Sequence, residues 1–241
     1  MNNNVGHITE VAVAIFLKPD DTFLLSSRPT GKPYAGFWEF PGGKIETGET
    51  VRAALVRELL EELNVTITHA TPWFSFIMHY THATVRLHCW RVRQWHGEMR
   101  GMEGQQFQWQ TLAALSVSPT LPGCAPIFKA LALPLIYSHA TLSSDTLQLS
   151  TAQLAAMTKR PDFNIVGVTV NTRQEIERAA ELKCDFAILP LTDSSPFAWQ
   201  IFTELTTATP LPCYATGAIG KEDLSLAFAH GAHGIALADK L

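Results

Sequence analysis

Five glutamates, Glu46, Glu49, Glu58, Glu61 and Glu62, fall between Gly42 and Val65 in the stretch GGKIETGETVRAALVRELLEELNV, behind a glycine pair. Read as a helix from Thr50 to Leu63 at about 100° per residue, the stretch puts Val51, Leu55, Leu59 and Leu63 on one apolar arc. Glu58, Glu61 and Glu62 then share an arc of about 100° beside that stripe, where like charges destabilise an isolated helix by about a few tenths of a kcal/mol per pair. Such a face requires a cation. Mg²⁺ or Mn²⁺ suits it, because hard divalent ions prefer oxygen ligands and are commonly held by a few carboxylates together with substrate phosphates. A solvated acidic face would account for the charges but not for the glycines and Arg57 at their offsets.

The elements that must position this helix can be read on either side of it. Val11 to Leu17 is an apolar run rich in β-branched residues, Lys18 to Asp21 a turn, and Thr22 to Ser26 a second strand. Arg28 to Pro33 reads as a loop, and Trp38-Glu39-Phe40-Pro41 leads into the glycine pair. After the helix, Trp73 to Tyr80 and Thr84 to Val92 form a candidate hairpin, Gly97 to Gly104 a loop, and Phe107 to Trp109 a short strand. His79, His82 and His88 lie on or beside the hairpin with no motif tying them to chemistry.

From Leu135 onward, short apolar strands alternate with helical stretches. Ile165 to Val170, Phe186 to Leu189, Pro212 to Thr216 and Gly234 to Ala238 are the strand candidates; Thr172 to Leu182, Phe197 to Thr206 and Lys221 to His230 are the helices between them. The alternation implies a parallel sheet with right-handed crossovers. Pro134 after an apolar helical run marks a boundary, giving domains over 1–133 and 134–241 in an α/β chain.

The 241 residues have 46% hydrophobic and 17% charged residues, the balance of an ordinary globular protein. A net charge of -4 argues against a nonspecific binder of nucleic-acid polymers or membrane surfaces, leaving small nucleotides as partners. The widely spaced Cys89, Cys124, Cys184 and Cys213 suggest neither a zinc ribbon nor a disulfide framework. The N-terminal stretch has no signal or transit pattern, and no apolar run approaches the roughly 20 residues of a membrane span, so a soluble cytoplasmic protein is expected.

The offsets of Gly43, Glu49, Arg57, Glu58, Leu59, Glu61, Glu62 and Val65 resemble the signature of the Nudix hydrolases, with Asn64 at the one fixed position that is normally glycine. That position follows the helix and needs a left-handed backbone, for which Asn is the least costly substitute. The resemblance to MutT-type members runs over residues 11–133 and includes the stretch Glu103-Gly104-Gln105. It implies a mixed sheet sandwiched by helices, with Mg²⁺ or Mn²⁺ held by the Gly42 carbonyl, Glu58, Glu61, Glu62 and Glu103. Catalytic roles go to Glu58, Glu61, Glu103 and Arg57, with Glu49 in support. Arg28, Phe40, Gly43, Lys44 and Cys124 would line the substrate, while Phe37 and Trp38 stay divided between core and nucleotide site. MutT-like sequences carry Leu-Pro-Ala-Asn before their last helix, the asparagine reading an oxidised guanine; here the residues are Leu121-Pro122-Gly123-Cys124. A thiol replaces a two-donor, one-acceptor amide, which weakens the expectation of 8-oxo-dGTP as substrate.

The second half is similar to thiamine-phosphate synthase and its TenI-like relatives, through Leu147-Gln148-Leu149-Ser150, Val166 to Asn171, Ala179 to Leu182, Cys184 to Ala187 and His230 to Gly234. That family builds a (β/α)8 barrel of roughly 200 residues or more, so an incomplete (β/α) barrel-like domain with parallel strands is expected here. Asp193-Ser194-Ser195-Pro196 and Asp239 replace phosphate-binding features, while Thr216-Gly217-Ala218-Ile219-Gly220 retains the look of an anion-cradling loop. The open sheet edges should be covered by packing or by homodimerisation. The resemblance implies a metal-dependent pyrophosphohydrolase cleaving a nucleoside triphosphate, oxidised forms included, or a related nucleoside-diphosphate-linked substrate to monophosphate and pyrophosphate. The alternatives are a non-catalytic sensor of a nucleotide or thiamine-pathway ligand and a hydrolase of a thiamine-related diphosphate.

Overall fold

The computed structural model describes residues 8–138 and 144–237. Ala238 and Asp239, which the sequence reading placed at the end of the last strand, lie outside the described residues. Two compact units emerge, one of residues 1–70 and 77–128, the other of residues 71–76 and 129–241.

In the first unit, β1 (Ile8–Phe16) pairs parallel with β6 (Thr84–His96) and antiparallel with β4 (Gly42–Lys44). With β5 (Thr66–His79) they form a sheet in the order β4-β1-β6-β5. A smaller antiparallel sheet joins β3 (Trp38–Glu39), β2 (Phe23–Ser27) and β7 (Phe107–Gln110). The hairpin strands run longer than the sequence reading placed them. Pro72 looks like a strand breaker there, but β5 is the edge of its sheet, where a missing N–H is tolerated.

Helix α1 (Val51–Leu63) starts where Thr50 accepts a hydrogen bond from the Ala53 N–H at 3.2 Å, capping the first turn. It stops at Asn64, whose φ of 56° and ψ of 35° are left-handed and whose N–H reaches the carbonyls of Leu59 and Leu60. Ala54, Leu55, Leu59 and Leu63 are fully buried against Ala12, Ala14, Phe16 and Val92. Burying each leucine contributes about 1.5–3 kcal/mol, which outweighs the repulsion on the helix's acidic side.

The second unit is built on six parallel strands: β8 (Ile136–Tyr137), β9 (Thr146–Leu149), β10 (Ile165–Thr169), β11 (Phe186–Pro190), β12 (Cys213–Thr216) and β13 (Gly234–Ala236). Their order is β8-β13-β12-β11-β10-β9, a parallel half-barrel. Helix α2 (Cys124–Leu131) precedes these strands in the chain, and helices α3 (Thr151–Ala156), α4 (Arg173–Glu181), α5 (Pro196–Thr206) and α6 (Leu224–Ala229) connect them. One face of the sheet packs Val166, Val168, Ile176, Leu189 and Trp199 into a core with the helices. The other packs Tyr137, Phe186 and Tyr214, with ring centroids 5.0 Å apart for the first two and 5.2 Å for the last two. Thr71 to Phe76 completes this unit: the Trp73 indole N–H donates to His233 Nδ1 at 3.1 Å, and the Ser75 N–H to the Thr209 carbonyl at 2.8 Å.

The Thr216–Gly220 loop does not present a free anion cradle. The Gly220 N–H donates to the Asp223 carboxylate at 2.9 Å, and the space a side chain at Gly220 would fill is taken by the Glu222 carboxylate. The helix expected over Lys221 to His230 accordingly begins as a short 3-10 turn (Lys221–Asp223) before α6. Among the described residues no helix is long and apolar enough to cross a membrane.

Candidate active site

Helix α1 lies against β4, and the two glycines of β4 permit the approach. Gly42 adopts φ of 143° with its Cα turned onto the Ala12 carbonyl, leaving no room for a side chain. At Gly43 the place of a Cβ is occupied by the Glu58 carboxyl group. The Gly42 N–H points toward Glu62 Oε2 at 3.4 Å. The glycine pair is thus what lets two helix carboxylates lie on the sheet.

Arg57 is the hub of the cluster. Its Nε and Nη2 donate to the two oxygens of Glu49 at 3.0 and 2.8 Å, its Nη1 to Glu58 at 2.8 Å, and its Nη2 also to the Lys44 carbonyl at 2.9 Å. Glu61 lies 3.6 Å away with its side chain 57% exposed, so it is the carboxylate nearest to solvent. The bidentate hold on Glu49 and the bond to Glu58 keep the guanidinium charge above its ordinary range, and the Arg57 bond keeps the Glu49 carboxyl below its own. Glu62 behaves differently. Burial, followed by the nearby charges of Glu39 and Glu58, pushes its carboxyl up to about 7.

Glu103 reaches the same region because its loop is fastened to the end of α1. Gln105 donates to the Glu62 carbonyl at 2.8 Å and accepts from the Glu103 N–H at 2.8 Å, while the Met102 N–H also bonds the Glu62 carbonyl at 2.9 Å. The Glu103 side chain pairs with the Lys32 ammonium at 2.7 Å.

The donor set, Glu58, Glu61, Glu62, Glu103 and the Gly42 carbonyl, is all oxygen, matching the preference of Mg²⁺ or Mn²⁺. Yet among the described residues no three acidic, histidine or cysteine side chains close on one point. Glu58 leans on Arg57, Glu62 on Gly42 and Glu103 on Lys32, so the residues fit such an ion in type while each is held by a partner of its own.

Beside the cluster, and sharing Gly42 with it, lies a cleft lined by Glu39, Phe40, Tyr80, Leu121, Gly123 and Cys124 among others. Phe40 is buried against Phe23 and Phe128, with centroids 5.7 Å away in each case. Cys124 is buried, its thiol donates weakly to the Trp38 carbonyl at 3.7 Å, and burial pushes its pKa up to about 12, so it stays neutral. A side chain at Gly123 would press on the Tyr80 hydroxyl.

Glu39, which lines this cleft, is paired with Arg28, which does not. One Arg28 nitrogen lies 2.6 and 2.7 Å from the two Glu39 oxygens, while its Nε bonds the Pro33 carbonyl at 2.7 Å. Burial raises the Glu39 carboxyl more than Arg28 lowers it. The sequence reading missed Glu39 and Lys32, although a charge between two aromatics in Trp38-Glu39-Phe40 was a signal. Lys44 is exposed and enters the cluster through its carbonyl. Phe37 is half-buried on the Tyr34 ring, and Trp38 is held in β3. His88 bonds Glu10 at 2.6 Å, His79 lies by Thr84, and His82 packs on Tyr34 and Tyr80.

Residues 8–131 match the family described as NUDIX domain, and residues 139–241 the family described as thiamine monophosphate synthase. The chain is 36% identical over 118 residues to the CTP pyrophosphohydrolase of Escherichia coli, covering 49% of this chain and 87% of that protein. It is 34% identical over 122 residues to the 8-oxo-dGTP diphosphatase of Escherichia coli, covering 51% and 95%. To the 8-oxo-dGTP diphosphatase of Haemophilus influenzae it is 33% identical over 124 residues, covering 52% and 91%.

Proposed function

The chain belongs to the Nudix family, and we propose that its first unit is a Mg²⁺- or Mn²⁺-dependent pyrophosphohydrolase that cleaves a nucleoside triphosphate to monophosphate and pyrophosphate. The observation that carries this reading is the seating of the Glu58 and Glu62 carboxylates against the Gly42-Gly43 pair, with Arg57 bonded to Glu58, beside a cleft that shares Gly42. Gly42, Glu58, Glu61, Glu62 and Glu103 are the groups that would hold the ion. A bound divalent ion supplies charge neutralisation at the phosphates and a lowered pKa for the attacking water.

The residues of the chain do the rest. Arg57 fixes Glu58 and Glu49 and so keeps the helix carboxylates aimed at β4. Glu103, or one of the helix glutamates, takes the proton from water as the water oxygen attacks the β-phosphorus, and the α–β phosphoanhydride bond breaks with the nucleoside monophosphate as leaving group. In the cleft, Glu39 offers acceptor oxygens, supporting a base that carries an exocyclic amine; Cys124 offers a neutral thiol where an amide would discriminate more strongly. Substrates of the relatives, CTP and 8-oxo-dGTP, head the candidates.

The test is pyrophosphate release from a panel of canonical and oxidised nucleoside triphosphates with Mg²⁺. Glu61→Gln is expected to lower turnover by about a hundredfold or more with an unchanged circular dichroism spectrum; full activity in that variant would sink the assignment. The match of residues 139–241 to thiamine monophosphate synthase supports a second reading, in which a thiamine-related diphosphate is the substrate. Adding such diphosphates to the panel separates the two.

A further inference from the structure

The cations that neutralise the acidic cluster come from two different places. Arg57 is part of α1 and is tied to it by four hydrogen bonds around Glu49, Glu58 and Lys44. Lys32 comes from the loop between β2 and β3, 71 residues away in sequence from the carboxylate it meets. Its ammonium sits 2.7 Å from Glu103 and 4.0 Å from Glu62, the two candidate ligands that Arg57 does not serve. Its side chain is 46% exposed and that of Glu103 42%, so neither is locked in place by packing.

We propose that Lys32 competes with a divalent ion for this cluster: it holds Glu103 beside Glu62, and the ion must displace it to take these carboxylates. This rests on the reading of the cluster as a divalent-ion site. The physical argument is one of exchange. A Lys ammonium is a compact point charge on a flexible stem, able to stand in for a cation and to swing away without disturbing the backbone. With Glu103 bound to it, the carboxylate is kept near α1 instead of turning to solvent. Once Glu103 and Glu62 ligate an ion, Lys32 loses its pair and is repelled by the added charge, so metal affinity includes the cost of removing it. Arg57 does not compete in this way, since its bonds to Glu49 and the Lys44 carbonyl leave it in place.

The experiment is equilibrium binding of Mn²⁺ alone to the full chain, followed by electron paramagnetic resonance of the free ion, with no nucleotide present. Lys32→Met should tighten Mn²⁺ binding by roughly two- to fivefold, the scale set by an exposed ion pair. Lys32→Arg, which keeps the charge, should bind as the unchanged protein does. In a Glu103→Gln background the gain from Lys32→Met should shrink, because the pair it removes is already gone. Unchanged or weaker binding in Lys32→Met, with Lys32→Arg equal to it, overturns the proposal. Should the unchanged protein show no saturable Mn²⁺ binding sensitive to Glu58→Gln, the divalent-ion reading itself falls, an outcome distinct from failure of the Lys32 exchange.

Discussion

Both units gather polar side chains, the first on helix α1 beside β4 and the second toward the carboxyl ends of its strands, but they satisfy them in opposite ways. In the first unit carboxylates crowd beside β4 and are balanced by Arg57 and Lys32, with Glu62 pushed up to about 7. In the second, neutral groups close on one another: Tyr137 donates to Gln148 at 3.2 Å, Gln148 to Thr169 at 3.1 Å, Thr151 to the Thr169 carbonyl at 2.9 Å and Thr216 to the Ala236 carbonyl at 2.6 Å. The carboxyl ends of parallel strands are where barrels of this kind place ligands. At Gly220 the Asp223 and Glu222 carboxylates oppose a phosphate directly. Ion pairs hold the polar groups of one unit; neutral hydrogen bonds hold those of the other.

That contrast can be broken from either side. The largest effect is expected from Trp73→Ala, which removes a buried ring and the donor to His233 and should destabilise the second unit by about 3–5 kcal/mol. Calorimetry should show one transition move to lower temperature while Mg²⁺-dependent pyrophosphate release at low temperature persists; loss of both together would mean that the two units do not melt separately. A smaller effect, roughly a 10–100-fold loss in Mn²⁺ affinity or turnover, is expected for Gly43→Ala, since the new Cβ displaces the Glu58 carboxyl group. Wild-type kinetics in that variant would show that Glu58 need not lie on β4.

The smallest concerns His230, whose imidazole stacks on Trp199 with 5.3 Å between ring centroids and whose Nδ1 lies 2.9 Å from the Thr203 hydroxyl. Burial lowers its pKa below 6.5, so the neutral form is favoured on folding. The unfolded chain then binds the proton more readily, and stability should be fully present above 6.5 and decline as the pH falls from there toward the folded value. His230→Gln should flatten that part of the pH–stability curve, and an unchanged slope would assign it to other groups.

The legibility of the sequence followed the range of the forces involved. Helix α1 was readable from Thr50 to Asn64 because its cap, its apolar stripe and its left-handed stop are all local. The parallel β-α alternation of the second half was readable for the same reason, whereas β8 and β9 were missed, being two and four residues long with little apolar pattern of their own. Around the site, local spacing pointed to Glu58, Glu61, Glu62 and Arg57. Glu103 entered only through resemblance, and Lys32 and Glu39 not at all. Their significance lies in contacts that span 71 residues for Lys32 with Glu103 and 11 for Arg28 with Glu39, which no periodicity encodes.

The placement of Thr71 to Phe76 with residues 129–241 bears on how the chain folds. During synthesis Trp73 leaves the ribosome 160 residues ahead of its hydrogen-bond partner His233. The second unit therefore depends on one of the longest-range contacts in the chain, and closing so large a loop makes its completion a late and slow event. Until then Trp73 has not met His233, and this interval is when the nascent chain is most exposed to misassociation.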